Sequence, residues 1–251
     1  MSDSRAVLVT GGSRGIGRAI AHAFAAAGDR VAVHSGASRE RAEAVLAQLP
    51  GDGHVLVQAD LADADAVGRM VDEAAAALGR LDVLVNNAGV FTAHPPLSVS
   101  YEEWQAAWSR TLAVNLIGAA NATFRAVPHL VTAGGGAVVN VSSRGAFRGE
   151  PDTPAYGASK AGLNAFGQSM AIALAPHGIS VGTVAPGFVQ TEMAREVLDG
   201  PGGDAVRAQS PYGRVARPEE VASAVLWLAS PGARFSTGTI IDVNGASYLR
   251  S

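Results

Sequence analysis

Short apolar runs alternate with longer helix-forming stretches along almost the whole chain. The apolar runs are Ala6-Val7-Leu8-Val9-Thr10, Arg30 to Ser35, His54 to Gln58, Val83-Leu84-Val85, Gly136 to Val141, Ile179 to Ala185 and Thr239 to Val243. The first is continuous rather than alternating, as in a strand covered on both faces of a parallel sheet. Helices are predicted from about Ile16 to Ala27, Arg39 to Leu49, Asp63 to Leu78, Tyr101 to Ser109, Leu112 to Val131, Pro154 to about His177 and Pro218 to Ala229. Strands alternating with helices through right-handed crossovers predict an α/β fold with one doubly wound, seven-stranded parallel sheet and helices on both faces. No linker sets off a second domain, so residues 1–251 are expected to form one. Glu192 to Gly213 breaks the pattern around Gly200-Pro201-Gly202-Gly203, and the segment of about 190–215 is expected to be a mobile lid.

Composition narrows the function. Hydrophobic residues make up 48% of the 251, ample for a core, and the net charge is −3. A nucleic-acid partner would usually require a basic patch, so none is expected. The chain has no cysteine, which excludes a disulfide framework, a thiol nucleophile and a cysteine-based metal site, and fits a cytoplasmic location. Met1-Ser2-Asp3-Ser4-Arg5 runs straight into an apolar strand without the longer apolar region of a signal peptide. No apolar run reaches the ~18 residues that span a bilayer, so no membrane association is expected.

Two stretches carry chemistry. Gly11-Gly12-Ser13-Arg14-Gly15-Ile16-Gly17 joins the first strand to the first helix. Glycines there let backbone approach a ligand, and the helix start offers free N–H groups and a positive dipole end, which suits a dinucleotide phosphate. After the second strand, an NAD site usually has an acid for the ribose hydroxyls. Here the stretch is His34-Ser35-Gly36-Ala37-Ser38-Arg39, with no acid. Arg14 and Arg39, assisted by Ser35 or Ser38, suit a 2′-phosphate, which points to NADP(H). Ser38 is also placed to cap the next helix, in which case Arg39 and Arg41 form a solvated face. Asp60-Leu61, past the third strand, is positioned to accept from an adenine amino group. The small residues of Asn86-Asn87-Ala88-Gly89 leave room for a ribose.

Tyr156-Gly157-Ala158-Ser159-Lys160 is the second stretch. Thr153 can cap its helix and Pro154 suits the first turn. Positions i and i+4 share a helix face, so a phenol and an ammonium project together. A free tyrosine titrates near pH ~10, and a nearby cation favours the phenolate. That makes a proton donor tunable toward neutral pH. Phe91, His94, Phe147, Phe188 and Tyr212 are candidates for a mostly apolar pocket. Arg144 and Arg148 are expected to be solvated loop charges, and His94 an ordinary loop residue.

Thr10 to Gly17, Asn86 to Gly89, Asn115, Ser143, Tyr156 to Lys160 and Pro186-Gly187 together resemble the short-chain dehydrogenase/reductase family, in order and spacing over nearly the whole chain. Arg14 and Asp242-Val243-Asn244-Gly245 are similar to its 3-oxoacyl-(acyl carrier protein) reductase-like branch, in which Ala246 replaces a usual glycine. The resemblance implies one Rossmann-like domain and reduction of a ketone or aldehyde, for instance a 3-oxoacyl thioester. Tyr156 would then donate the proton, Lys160 would lower its pKa and hold the nicotinamide ribose, and Ser143 would bond the carbonyl oxygen. Asn115 would position a water behind Lys160, and Val189 and Thr191 would contact the carboxamide. Gly11, Ser13, Arg14, Gly15, Ile16, Gly17, Asn87, Ala88, Gly89, Pro186 and Gly187 would complete the cofactor site. A homotetramer is the implied assembly. The alternatives are an NAD-dependent alcohol dehydrogenase, disfavoured by the missing acid, and a non-catalytic dinucleotide binder, which would not need the Asn115, Ser143, Tyr156 and Lys160 set.

Overall fold

All seven predicted strands occur in the computed structural model, which describes residues 4–250. Met1, Ser2 and Asp3, part of the N-terminal reading, lie outside the described residues. The strands are β1 (Ala6–Val9), β2 (Arg30–Ser35), β3 (Val55–Gln58), β4 (Val83–Asn86), β5 (Gly136–Val141), β6 (Ile179–Pro186) and β7 (Ile240–Val243). They pair in parallel in the order β3-β2-β1-β4-β5-β6-β7.

The helices are α1 (Gly15–Ala26), α2 (Arg39–Leu46), α3 (Ala64–Leu78), α4 (Tyr101–Leu112), α5 (Ala119–Thr132), α6 (Pro154–Leu174), α7 (Glu192–Asp199), α8 (Gly203–Ala208) and α9 (Pro218–Leu228). Successive strand side chains point to opposite faces, and β1 feeds two cores in that way. Val7 and Val9 join Ile20 and Phe24 of α1 and Val221 and Val225 of α9. Ala6 and Leu8 join Val67 and Met70 of α3, Ala126 and Leu130 of α5, and Leu174 of α6. This double burial explains the continuous apolar run. The chain leaves β1 in one direction and β4 in the other, so a crevice opens at their carboxyl ends.

Besides helix ends that shift by a few residues, the structure departs from expectation in three places. The two helices predicted between Tyr101 and Val131 are continuous, because α4 passes into α5 through a π-helical turn at Ala113–Gly118. No glycine or proline stands between Ser109 and Leu112 to break them. The Glu192 to Gly213 stretch contains α7 and α8 on either side of Gly200-Pro201-Gly202. Thr153 precedes α6 but its side chain makes no cap. His94 does this instead, its Nε2 accepting from Ala155 N at 3.2 Å.

Candidate active site

The glycine turn is held from two sides. A Cβ on Gly17 would lie 2.1 Å from Gly11 O, so only glycine lets α1 fold back against the turn. Asn87 Nδ2 donates to Thr10 O and Gly11 O at 2.8 and 3.2 Å, while Thr10 Oγ1 accepts from Asn87 N and Ala88 N. His34 Nδ1 accepts from Gly11 N at 3.0 Å, which leaves Nε2 to donate to Ala59 O. Burial lowers the pKa of His34, consistent with this neutral tautomer. The sequence offered no sign of that role. The first N–H groups of α1 receive no side-chain cap, and orphan donors at a helix start suit an anion.

The turn opens into a cleft of about 640 Å³. Apart from Arg39 and Asn115, every catalytic and cofactor-binding residue expected from the sequence lines it. At its outer end stand Arg14, Ser35, Ser38 and Arg41, with no carboxylate at the end of β2. Arg39 is not there: it is exposed and its Nε donates to Glu43 Oε1 at 2.8 Å, one helical turn on. Arg41 takes its place in the cleft wall. Ser38 Oγ accepts from Arg41 N, so it caps α2 as expected. Asp60 is at the sheet edge, but both its carboxylate oxygens accept from Arg110 Nη1, at 2.8 and 2.9 Å. Arg110, on α4, escaped sequence reasoning because its partner is fifty positions away.

Ser143, Tyr156 and Lys160 meet at the inner end. Ser143 starts a 3₁₀ turn, its Oγ accepting from Gly145 N at 3.0 Å. Lys160 is 3% exposed and donates from Nζ to Val141 O at 2.8 Å. Burial without a countercharge lowers its pKa to about 8. Burial pushes the Tyr156 phenol above the ordinary tyrosine range, Ser143 offsets part of the rise and the Glu150 carboxylate adds to it. The Lys160 ammonium lies 5.8 Å from the ring centroid. The i, i+4 spacing suggests that a cation lowers the phenol's pKa; in the folded chain burial acts the other way and is the largest influence. Phe91 packs edge-on against Tyr156 with centroids 4.9 Å apart.

Asn115 lies in the π-helical turn, where such insertions often mark functional sites. Its Oδ1 accepts from Val90 N, and its Nδ2 donates to Val90 O and Ser159 Oγ. It thereby ties the Gly89 segment to the helix of Tyr156 and Lys160. Of the expected apolar pocket, Phe91 and Phe188 line the cleft. His94 is buried against Trp104, Phe147 stacks under Arg250, and Tyr212 lines a neighbouring cavity. Arg144, expected in solvent, is 5% exposed; it and Glu150 line the cleft. Among the described residues no three His, Cys, Asp or Glu side chains form a potential metal group, and no helix is long and apolar enough to cross a membrane.

A family model described as "Enoyl-(Acyl carrier protein) reductase" matches residues 11–246. A 3-oxoacyl-(acyl-carrier-protein) reductase of Staphylococcus aureus is 38% identical over 99% of this chain and 100% of its own. The chain belongs to the short-chain dehydrogenase/reductase family. Its relatives in this oxidoreductase family also include a D-threitol dehydrogenase of Mycolicibacterium smegmatis, 39% identical over 99% of this chain and 94% of its own. The crystal structure of a short-chain dehydrogenase from Burkholderia cenocepacia in complex with NADP superposes with a TM-score of 0.87, at 37% identity and covering 97% of both chains.

Proposed function

We propose that the protein is an NADPH-dependent reductase of a ketone or aldehyde, with Tyr156 as proton donor. One observation carries this: the cleft joins a half-buried, proton-bearing phenol at its inner end to Arg14, Arg41, Ser35 and Ser38 at its outer end, where β2 ends without a carboxylate and the acid beside Arg41 is Glu192 of α7, at 3.8 Å. The Burkholderia cenocepacia relative in complex with NADP supports the same cofactor. The residues fit a dinucleotide. Gly11 to Gly17 and the uncapped start of α1 would hold its diphosphate, and Arg14, Ser35, Ser38 and Arg41 its 2′-phosphate. Asp60 and Leu61 would adjoin the adenine, Asn87 to Gly89 and Lys160 a ribose, and Pro186, Gly187, Val189 and Thr191 the nicotinamide. When bound, the cofactor supplies the hydride.

The remaining work belongs to this chain. Ser143 Oγ and the Tyr156 phenol converge where a carbonyl oxygen would gain negative charge, and hydrogen bonds placed in advance stabilise that charge. Tyr156 delivers its proton to the oxygen. Lys160, anchored by the Val141 carbonyl, holds positive charge beside the phenolate left behind. Asn115 keeps the Gly89 segment and α6 in register. Phe91, Phe188, Met193 and Val197 supply apolar surface to the cleft. Reduction of acyl thioesters and of polyol-derived ketones are both supported by relatives.

Tyr156→Phe tests the mechanism. Turnover of any accepted carbonyl compound is expected to fall by at least ~10²-fold, while titration by fluorescence shows NADPH still binding. Retained turnover contradicts the assignment. In the same assay NADPH is expected to give a higher kcat/KM than NADH, and the reverse order would overturn the cofactor.

A further inference from the structure

Two charged side chains at the inner end of the cleft have no part in hydride or proton transfer. Arg144 is already engaged. Its Nη1 donates to Ser247 Oγ at 2.8 Å and its Nη2 to Gln209 Oε1 at 2.6 Å, and its guanidinium lies 5.0 Å from the Phe188 centroid. These bonds tie the turn after Ser143 to the end of α8 and to the C-terminal segment. Glu150 is different. It is half-buried in the cleft wall, and no hydrogen bond within the described residues engages its carboxylate.

The position of Glu150 is informative. A Cβ on Gly145 would lie 3.1 Å from Glu150 Oε1 and 3.3 Å from Ser143 Oγ, so the two oxygens flank one point. The carboxylate and the hydroxyl that would hold the carbonyl oxygen therefore border the same stretch of the cleft wall, at Gly145. An alkyl chain seated there would strip water from the carboxylate and return no hydrogen bond, which is costly. A hydroxyl close to the carbonyl would donate to it instead. Arg144 and Arg148 both act electrostatically on Glu150, so a neutral donor suits the site better than an ammonium group. We propose that Glu150 is a specificity residue and that the substrate is a small hydroxyketone, with a hydroxyl on a carbon near the carbonyl.

This inference rests on the reductase reading, and the test separates the two. NADPH oxidation is measured with erythrulose, cyclohexanone and an acetoacetyl thioester, for the native protein, Glu150→Gln and Glu150→Leu. The decisive readout is kcat/KM for erythrulose divided by that for cyclohexanone, because any effect of Glu150 on Tyr156 is common to both and cancels. The native ratio is expected to exceed about tenfold. It should fall at least about tenfold in Glu150→Leu and less in Glu150→Gln, which keeps an acceptor of the same shape. An unchanged ratio, or native preference for the thioester over erythrulose, overturns the inference while leaving the reductase reading intact. Failure to reduce any of the three overturns the inference, and if NADPH also fails to bind, the reductase reading falls with it.

Discussion

Lys160 concentrates the electrostatic tension of the site. Its ammonium is buried, has a carbonyl partner and lacks a countercharge, so its pKa falls from 10.5 to about 8. A lysine whose folded pKa is depressed costs stability wherever the folded protein still carries the charge. The cost is complete below about pH 8 and fades as pH rises toward the ordinary lysine value, since only the unfolded chain then takes up a proton. Lys160→Met is therefore expected to abolish turnover yet raise stability by about 1–3 kcal/mol at pH 7, with the gain shrinking between pH 8 and 10. Thermal unfolding at several pH values checks this, and a loss of stability at pH 7 contradicts it. The pairing of Tyr156 with Lys160 was legible as an i, i+4 spacing, but the balance between burial and charge was not. Ala246 is a related case. Replacing glycine there looks minor in sequence, yet its φ of 58° is left-handed, a conformation costing a non-glycine residue roughly 1 kcal/mol.

At the scale of the element, α6 depends on a residue far outside it. Pro154 starts the helix, but the cap comes from His94, sixty-one positions before Ala155. Its Nδ1 donates to Thr92 O at 2.7 Å, which fixes Nε2 as the acceptor. His94→Ala is expected to destabilise the protein by about 1–2 kcal/mol, a fall of a few degrees in Tm. It should also lower kcat, because Tyr156 lies in the first turn of α6. Calorimetry showing an unchanged Tm would refute the capping role. The sequence suggested Thr153 as the cap, a fair expectation from local chemistry. Local rules fail here because the loop carrying His94 folds back onto the helix start. Arg39 and Arg41 show the same limit: α2 was evident, but its phase decides that Arg39 meets Glu43 and Arg41 faces the cleft.

Among the large apolar side chains that the whole molecule leaves uncovered, two groups lie on helices away from the cleft. Ile117, Phe124 and Val131 stand along the helix running from α4 through α5, and Ile172 on α6, with Phe124 79% and Ile172 81% exposed. Trp227 on α9 and Phe235 beyond it are uncovered at the other side of the chain's topology, near edge strand β7. Two separate self-complementary contacts are what a dihedral tetramer needs. Light scattering is expected to give a mass of four chains, and Phe124→Arg to reduce it to two by removing one of the contacts. A native mass of one chain would refute this assembly.

By itself the sequence determined the sheet, the order of its elements and most residues around the cleft. The sheet, the glycine turn and the Tyr156/Lys160 pair follow from short-range physics, since continuous apolar runs, glycine turns and helical spacing act within a few residues, whereas Asn115, Ser143, Pro186, Gly187, Val189 and Thr191 came from the family resemblance. Only the tertiary structure decided which neighbours those residues meet. It made Asp60 the partner of Arg110, His34 the anchor of the glycine turn and His94 the cap of α6. It also buried Arg144 and set Glu150 in the wall of the cleft. Each is a contact across loops whose path depends on the packing of the whole core, so no local pattern could announce it.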